Sequence, residues 1–213
     1  MFENLVLLYA ANPPIVLAMV FVFGALIGSF LNVVIYRLPV MLERDWQTQA
    51  RLILEEPSAN KEEKSSAGGE PANEKFNLIV PNSRCPGCER PIKPWENIPI
   101  ISYLLLRGKC KGCRISISAR YPTIEFIAGL LSVVVIQSFG FSIAGFALCG
   151  FTYALLALAM IDYDTQLLPD DITLPLLWSG LIVNYFGLVT TFSNAFWGAV
   201  IGYLSLWSVY QGF

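Results

Sequence analysis

The chain has 213 residues, of which 55% are hydrophobic and only 14% are charged, with a net charge of −2 and no histidine. A water-soluble domain carries about a quarter charged residues, so this composition excludes that class and indicates a polytopic membrane protein. Without histidine, Ser-His-Asp catalysis, Cys-His catalysis and histidine metal ligands are also excluded.

The basic residues are confined to one part of the chain. All 14 Lys and Arg residues lie between Arg37 and Arg120. Because Lys and Arg mark the cytoplasmic side of a membrane protein, residues 37–120 are predicted to be cytoplasmic and the N-terminus periplasmic. Glu3 stands where a cleaved signal peptide would be basic, so we interpret the first span as a retained signal-anchor.

The first predicted span runs from Ile15 to Tyr36 without a charged residue. Gly24 and Gly28 have the G-x-x-x-G spacing that lets two helices approach closely, and we favour ordinary packing as their role. Pro39 follows the span and is expected to stop the helix.

Two segments with no indication of chemistry come next. Val40 to Leu54 is weakly amphipathic and contains Trp46, so it is expected to lie on the membrane surface. Glu55 to Lys75 is rich in Glu, Lys, Ser, Gly and Asn, which is typical of a solvated linker.

Two C-x-x-C pairs, Cys85–Cys88 and Cys110–Cys113, lie in the cytoplasmic segment with 21 residues between them. Four thiolates at this spacing predict a closed tetrahedral zinc site, similar to a zinc ribbon. Disulfides are disfavoured in a reducing cytoplasm, and an iron–sulfur cluster stays open as an alternative. The basic residues near the second pair are expected to set the membrane topology or to contact anionic lipid. Nucleic acid is a less favoured ligand for them.

The second predicted span, Tyr121 to Phe141, contains Glu125 one turn from its start. A glutamate inside a span is a functional candidate, and the alternative is a simple ion pair with Arg120 at the interface. Cys149, in the third span, is the fifth and unpaired cysteine and is expected to be a small packing residue.

Aspartates follow the third span, which covers Ser142 to Ile161 and holds no charge. No basic residue lies near them in the sequence, and a carboxylate at a span end either titrates upward or finds water. The four aspartates are Asp162, Asp164, Asp170 and Asp171. One of them is a candidate for acid/base chemistry, and the alternative is that all four belong to a solvated acidic loop.

Two further spans are predicted, at about Ile172 to Val189 and from Ala195 to the chain end. The predicted fold is therefore an all-α polytopic membrane protein with about five transmembrane helices and a cytoplasmic zinc-ribbon-like loop after the first. The expected divisions are an N-terminal anchor (1–39), a cytoplasmic loop (40–120) whose zinc module is 82–120, and a transmembrane region (121–213).

Three separated stretches resemble the type IV prepilin peptidases, the bifunctional leader peptidase/N-methyltransferases of bacterial pilus and type II secretion systems. They are GSFLNVVIYRLP (Gly28 to Pro39), ISISARYP with the preceding C-x-x-C pairs (Ile115 to Pro122), and MIDYDTQLLPDDITLPLLW (Met160 to Trp178). The resemblance covers nearly the whole chain, and the order of the motifs makes it specific.

The resemblance implies an aspartyl protease of the bacterial inner membrane that cleaves the basic leader of prepilins or pseudopilins on the cytoplasmic side. It also implies N-methylation of the new N-terminus with S-adenosylmethionine. The first catalytic aspartate falls on Asp162, with Asp164 and Glu125 as supporting candidates. The four paired cysteines match the family's zinc-ribbon-like loop. No residues are assigned to the methyl donor.

The family's second catalytic aspartate lies in a G-x-G-D motif, and these 213 residues contain none. The expectation is a C-terminally truncated copy that lacks peptidase activity, because an aspartyl dyad needs one carboxyl as base and another as acid. The alternatives are a partial enzyme that still binds prepilin or methyl donor, and a zinc-stabilised membrane anchor.

Overall fold

The computed structural model describes residues 2–54 and 76–212, so the predicted linker Glu55 to Lys75 lies outside the described residues. The described part is all-helical and contains no β-strand, as expected from the composition. The α-helices are α1 (Phe2–Ala11), α2 (Pro13–Leu54), α3 (Ile101–Leu105), α4 (Arg120–Phe139), α5 (Ile143–Thr165), α6 (Asp170–Tyr185) and α7 (Phe192–Gly212).

Three helices in the described part of the chain, α2, α4 and α5, are long and apolar enough to cross a membrane. They agree with the first three predicted spans. The helices α6 and α7 occupy the positions of the fourth and fifth. At 16 residues, or about 24 Å, α6 is short for a hydrocarbon core of about 30 Å. The protein is therefore a multi-pass membrane protein, and the total of five spans stays a prediction.

The core of the bundle lies where α2, α4 and α5 meet. Its buried side chains are aliphatic and come from all three helices: Leu31, Ile35, Ile124, Ala157 and Ile161. In contrast, α6 and α7 contain no buried residue. The part of the bundle that supports the predicted site is thus the three-helix core.

Glycines bring α2 and α4 into close contact. A Cβ atom added at Gly28 would lie 2.8 Å from the Cα of Glu125, and one added at Gly129 would lie 2.8 Å from the carbonyl oxygen of Phe21. Both distances are shorter than a carbon atom tolerates, so side chains at these positions would force the helices apart. The packing role predicted for Gly24 and Gly28 is confirmed.

The prediction that Pro39 stops the first helix is wrong, because α2 continues through it to Leu54. Pro39 cannot donate a hydrogen bond to the carbonyl of Ile35, which costs about 3 kcal/mol in a helix interior. The following segment consists mainly of good helix formers and carries the helix onward. At 42 residues α2 is about 63 Å long, twice the hydrocarbon thickness, so Val40–Leu54 extends the span and does not form a separate helix.

Candidate functional site

The two C-x-x-C segments fold into matching knuckles. In the first, the Cys85 amide donates to the carbonyl of Arg90 and the Glu89 amide donates to that of Cys85, at 3.0 and 2.9 Å. In the second, 25 residues later, the Cys110 amide donates to Ile115 and the Arg114 amide to Cys110, at 2.9 and 3.0 Å. The repeated hydrogen bonds mean that each knuckle closes through its own local sequence.

A residue in the left-handed backbone conformation closes each knuckle. Glu89 and Arg114 follow the second cysteine of each pair and have φ angles of 53° and 59°. An isolated antiparallel bridge lies outside each pair, between Arg84 and Pro91 in one and between Lys109 and Ser116 in the other. The module has the paired knuckles of a zinc ribbon, although its bridges do not extend into strands.

The four sulfur atoms converge on one point, since all of them lie within 4.8 Å of one another. The Cys85 and Cys113 sulfurs are 3.7 Å apart. Four sulfurs around a zinc ion at about 2.3 Å would be separated by about 3.8 Å, so the arrangement is close to a metal tetrahedron. The donor set fits a soft divalent ion, and these cysteines could bind a metal.

Arg90 supplies positive charge beside this cluster. Its guanidinium interacts with Cys110, and its buried Nε has no hydrogen-bond acceptor among the residues described. The other two nitrogens donate to the carboxylate of Glu96 at 3.3 and 2.8 Å. A cation beside Cys110 complements the negative charge that a four-thiolate metal site would carry.

Backbone amides also favour the thiolate form of Cys110. Hydrogen bonds from the backbone of Cys113 and Gly112, and then from the Cys85 side chain, lower the pKa of Cys110 to about 6. The Gly112 amide lies 3.4 Å from the sulfur. Since the metal ligand is a thiolate and not a thiol, this hydrogen bonding favours Cys110 as a metal ligand.

The start of the module is tied to α2 by Arg37. This buried side chain donates to the carbonyl oxygens of Asn77 and Pro81, at 2.8 and 2.5 Å. The Phe76 ring also contacts two guanidinium groups, with its centroid 5.7 Å from the Cζ of Arg37 and 4.3 Å from that of Arg44. Arg37 therefore attaches the segment just before the cysteine module to α2.

Asp162 lies in the last turns of α5, with its side chain exposed to solvent. No described side chain forms an ion pair or hydrogen bond with it. The left-handed Gln166 ends the helix one turn later and donates its amide to the Asp162 carbonyl at 2.8 Å. Asp162 therefore has an exposed side chain at the end of α5 and no charged partner among the described residues.

Asp164 differs from Asp162 because it has a cationic partner. Arg120, at the start of α4, donates two hydrogen bonds to its carboxylate at 2.6 and 2.5 Å. The same guanidinium is 3.5 Å from the carbonyl oxygen of Met160. The sequence suggested no cation near the aspartates; the fold brings Arg120 there from 44 residues away.

The other two aspartates begin α6. The hydroxyl of Thr173 donates to Asp170 at 3.3 Å, and Asp171 is one of the residues that line an apolar groove of about 580 Å³ between α5 and α6. Small residues such as Gly150 and Gly180 line this groove. The four carboxylates share one end of the bundle but have separate surroundings.

Glu125 is buried at the crossing of α2 and α4, and its carboxylate accepts the backbone N–H of Ile100 at 2.7 Å. The suggested ion pair with Arg120 is therefore wrong, because Arg120 is occupied by Asp164. Glu125 contacts the module and not the aspartate loop. The structure thus separates the three predicted carboxylates into an exposed one, a paired one and a buried one.

Three arginines organise these centres, Arg37, Arg90 and Arg120. From the sequence, Arg120 was expected only as an alternative partner of Glu125, and no contact was predicted for Arg37 or Arg90. A possible signal for Arg37 and Arg120 was their position at the boundary between an apolar span and a polar segment. Nothing in the sequence pattern indicated Arg90, because its partners come together only when the two knuckles meet.

Two family profiles match the chain. The bacterial peptidase A24 N-terminal domain matches residues 22–139, more than half of the chain, and the type IV leader peptidase family matches residues 149–212. The first match includes the cysteine module and Glu125, and the second includes the aspartate loop. No solved structure matches the chain.

Curated relatives carry the name prepilin leader peptidase/N-methyltransferase. Similar proteins occur in Stutzerimonas stutzeri at 55% identity over 94% of this chain, in Pseudomonas aeruginosa at 48% over 95%, and in Neisseria gonorrhoeae at 47% over 91%. The chain spans 66% of the length of the first two relatives and 64% of the third. The two profiles and these relatives agree, and the chain belongs to the type IV leader peptidase family.

Proposed function

We propose that this chain carries the first catalytic aspartate and the metal-binding module of a prepilin leader peptidase and N-methyltransferase. Its substrates are the precursors of type IV pilins or of the pseudopilins of type II secretion. The reaction takes place at the cytoplasmic face of the inner membrane, where the basic segment 37–120 and the aspartate loop lie together. The relatives' printed name and the family support this assignment.

The contrast between Asp162 and Asp164 carries the assignment of the catalytic residue. Asp162 is exposed and has no partner among the described residues, whereas both oxygens of Asp164 accept hydrogen bonds from Arg120. A carboxyl that must take and give protons has to be accessible to water and substrate. Asp162 meets that requirement, and Asp164 supports the loop through its ion pair.

Peptide hydrolysis by aspartates needs two carboxyls, one to activate water and the other to protonate the leaving amine. We assign the first to Asp162. The resemblance places the second in a G-x-G-D motif, which residues 1–213 do not contain. Asp164, Asp170 and Asp171 are poor substitutes, because one is paired with Arg120 and the other two begin the next helix.

S-adenosylmethionine is the co-substrate proposed for the second activity, and it supplies the methyl group for the amine that cleavage exposes. Glu125 is proposed as a supporting residue, since its carboxylate joins the module to the bundle. Zinc is the metal proposed for Cys85, Cys88, Cys110 and Cys113. Four thiolates leave no open coordination position, so its role is to hold the module's fold.

Leader cleavage tests the proposal, with a prepilin substrate and membranes containing either the 213 residues or the same residues extended by a G-x-G-D segment of the family. The extended protein should cleave the substrate, and Asp162→Asn should lower its rate by about 10⁴-fold or more, as for other catalytic groups that act as a unit. Asp164→Asn should reduce the rate far less.

Zinc content and membrane insertion serve as controls for correct folding of each variant. The assignment of Asp162 would be overturned if the Asn variant retained cleavage. Cleavage by residues 1–213 alone would show that the second carboxyl lies within them.

A further inference from the structure

The segment Pro99–Ile101 forms a tight γ-turn in the middle of the cysteine module. The amide of Ile101 donates to the carbonyl of Pro99 at 2.5 Å, and the central residue Ile100 has φ 60° and ψ −50°. This form of γ-turn is rare and strained. A positive φ is especially unfavourable for a β-branched residue, so something outside the turn must hold it in place.

Glu125 supplies the contact that holds it. Its carboxylate accepts the N–H of Ile100 at 2.7 Å, and its side chain is buried on α4. The Ser29 side chain of α2 interacts with the same carboxyl. A hydrogen bond from an amide to a carboxylate is roughly twice as strong as one between neutral groups, and burial removes the competition from water.

The turn belongs to the segment that connects the two knuckles. It precedes α3 and lies between the two knuckles, so its placement sets the path that joins them. On the bundle side, Gly28 of α2 packs against the backbone of Glu125. The amide of Asn97 also reaches the Ser29 hydroxyl at 3.5 Å. The contact between Glu125 and Ile100 thus joins the module to the α2–α4 crossing. It is a second attachment, separate in the sequence from the one that Arg37 makes.

We propose that Glu125 is a positioning residue whose buried carboxylate clamps the strained turn at Ile100 and thereby fixes the cysteine module against the membrane bundle. The clamp itself rests on these contacts. Its consequence for catalysis rests on the proposed function, because the module must then be held beside the end of α5 that carries Asp162.

Hydrogen exchange of the intact 213-residue protein in lipid nanodiscs tests the clamp directly. Glu125→Ala should speed exchange of the Ile100 amide by roughly tenfold to a hundredfold, and that of the α3 amides of Ser102 and Leu104 by a smaller factor. Glu125→Gln should stay within a few-fold of the unmodified protein, because the side-chain amide oxygen still accepts the Ile100 N–H.

A second substitution tests whether the backbone strain at Ile100 is what the Glu125 contact holds in place. Glycine adopts a positive φ without penalty, so Ile100→Gly in the Glu125→Ala background should restore protection to the α3 amides while leaving the amide at position 100 unprotected. The matched control is Glu43→Ala, which removes an exposed glutamate from α2 and should change neither set of amides. Metal content is measured for each variant to show whether the two knuckles still meet.

The clamp is refuted if Glu125→Ala leaves the exchange of residues 100–105 unchanged, or if Ile100→Gly does not restore α3 protection. For the catalytic consequence, the extended protein with Glu125→Ala should show a higher KM for prepilin than with Glu125→Gln, at similar kcat. Altered exchange in Glu125→Ala, together with no leader cleavage by the extended protein, would contradict the proposed function and leave the clamp standing.

Discussion

The cysteine module and the aspartate loop are both polar centres at the same end of the bundle, but they are built in different ways. Each knuckle of the module closes through hydrogen bonds within six residues of chain, and the two knuckles repeat the same pattern. The aspartate loop depends on Arg120, which comes from another helix 44 residues away. Local sequence therefore builds the two cysteine knuckles, whereas helix packing arranges the aspartates.

The largest expected effect is loss of the metal. Cys85→Ser removes one of four thiolates, and structural zinc sites contribute about 10 kcal/mol or more to folding. We expect metal loss and protease sensitivity confined to the module, with the helical bundle and the Arg120–Asp164 contact intact. Metal analysis and limited proteolysis of freshly purified protein provide the measurement.

Cys149→Ser is the matched control for that variant, because this cysteine is buried in α5 away from the cluster. It should keep the full metal content. Equal loss of metal from both variants, or the finding of an iron cluster in place of zinc, would contradict the assignment.

The second effect should disturb the helix packing that supports the aspartate loop. Gly28→Ala adds a Cβ 2.8 Å from the Cα of Glu125, and such overpacking costs about 1–3 kcal/mol. Gly198→Ala on α7 is the control, since a Cβ there meets nothing within 4 Å. Thermal unfolding in detergent should show a lower midpoint for the first variant and no decrease for the second.

A smaller effect is expected from the pair that joins α4 to α5. Arg120 and Asp164 are each about one third exposed, so solvent screens their attraction and the coupling should be about 0–1 kcal/mol. A double-mutant cycle with Arg120→Gln and Asp164→Asn measures it. A coupling well above this range would mean that the ion pair contributes to the stability of the bundle as well as to the arrangement of the loop.

The smallest effect tests the equivalence of the knuckles. Glu89 and Arg114 both have positive φ, where glycine is free of the steric cost that other residues bear. Glu89→Gly and Arg114→Gly should therefore change stability by less than about 1 kcal/mol, and by similar amounts. Unfolding of the metal-bound protein monitors both, and a large loss in one variant alone would show that the knuckles are not equivalent.

Local pattern was enough to predict several parts of this protein. The apolar runs predict the spans at α2, α4 and α5, and the two C-x-x-C pairs predict the sulfur cluster, because both features depend on residues close together in the chain. The same reasoning failed at Pro39, where the helix formers that follow outweigh a single missing hydrogen bond.

By itself, the sequence determined the membrane class, the position of the three apolar spans, the four cysteines that form one cluster and the family, since each depends on composition or on short spacings. Only the tertiary structure decided which carboxylate is exposed, which is paired and which is buried. Those environments depend on Arg120, Ile100 and Gly28, which lie between 25 and 97 residues along the chain from the acidic residues they contact. Contacts between helices set such environments, and a one-dimensional pattern does not encode which helix faces which.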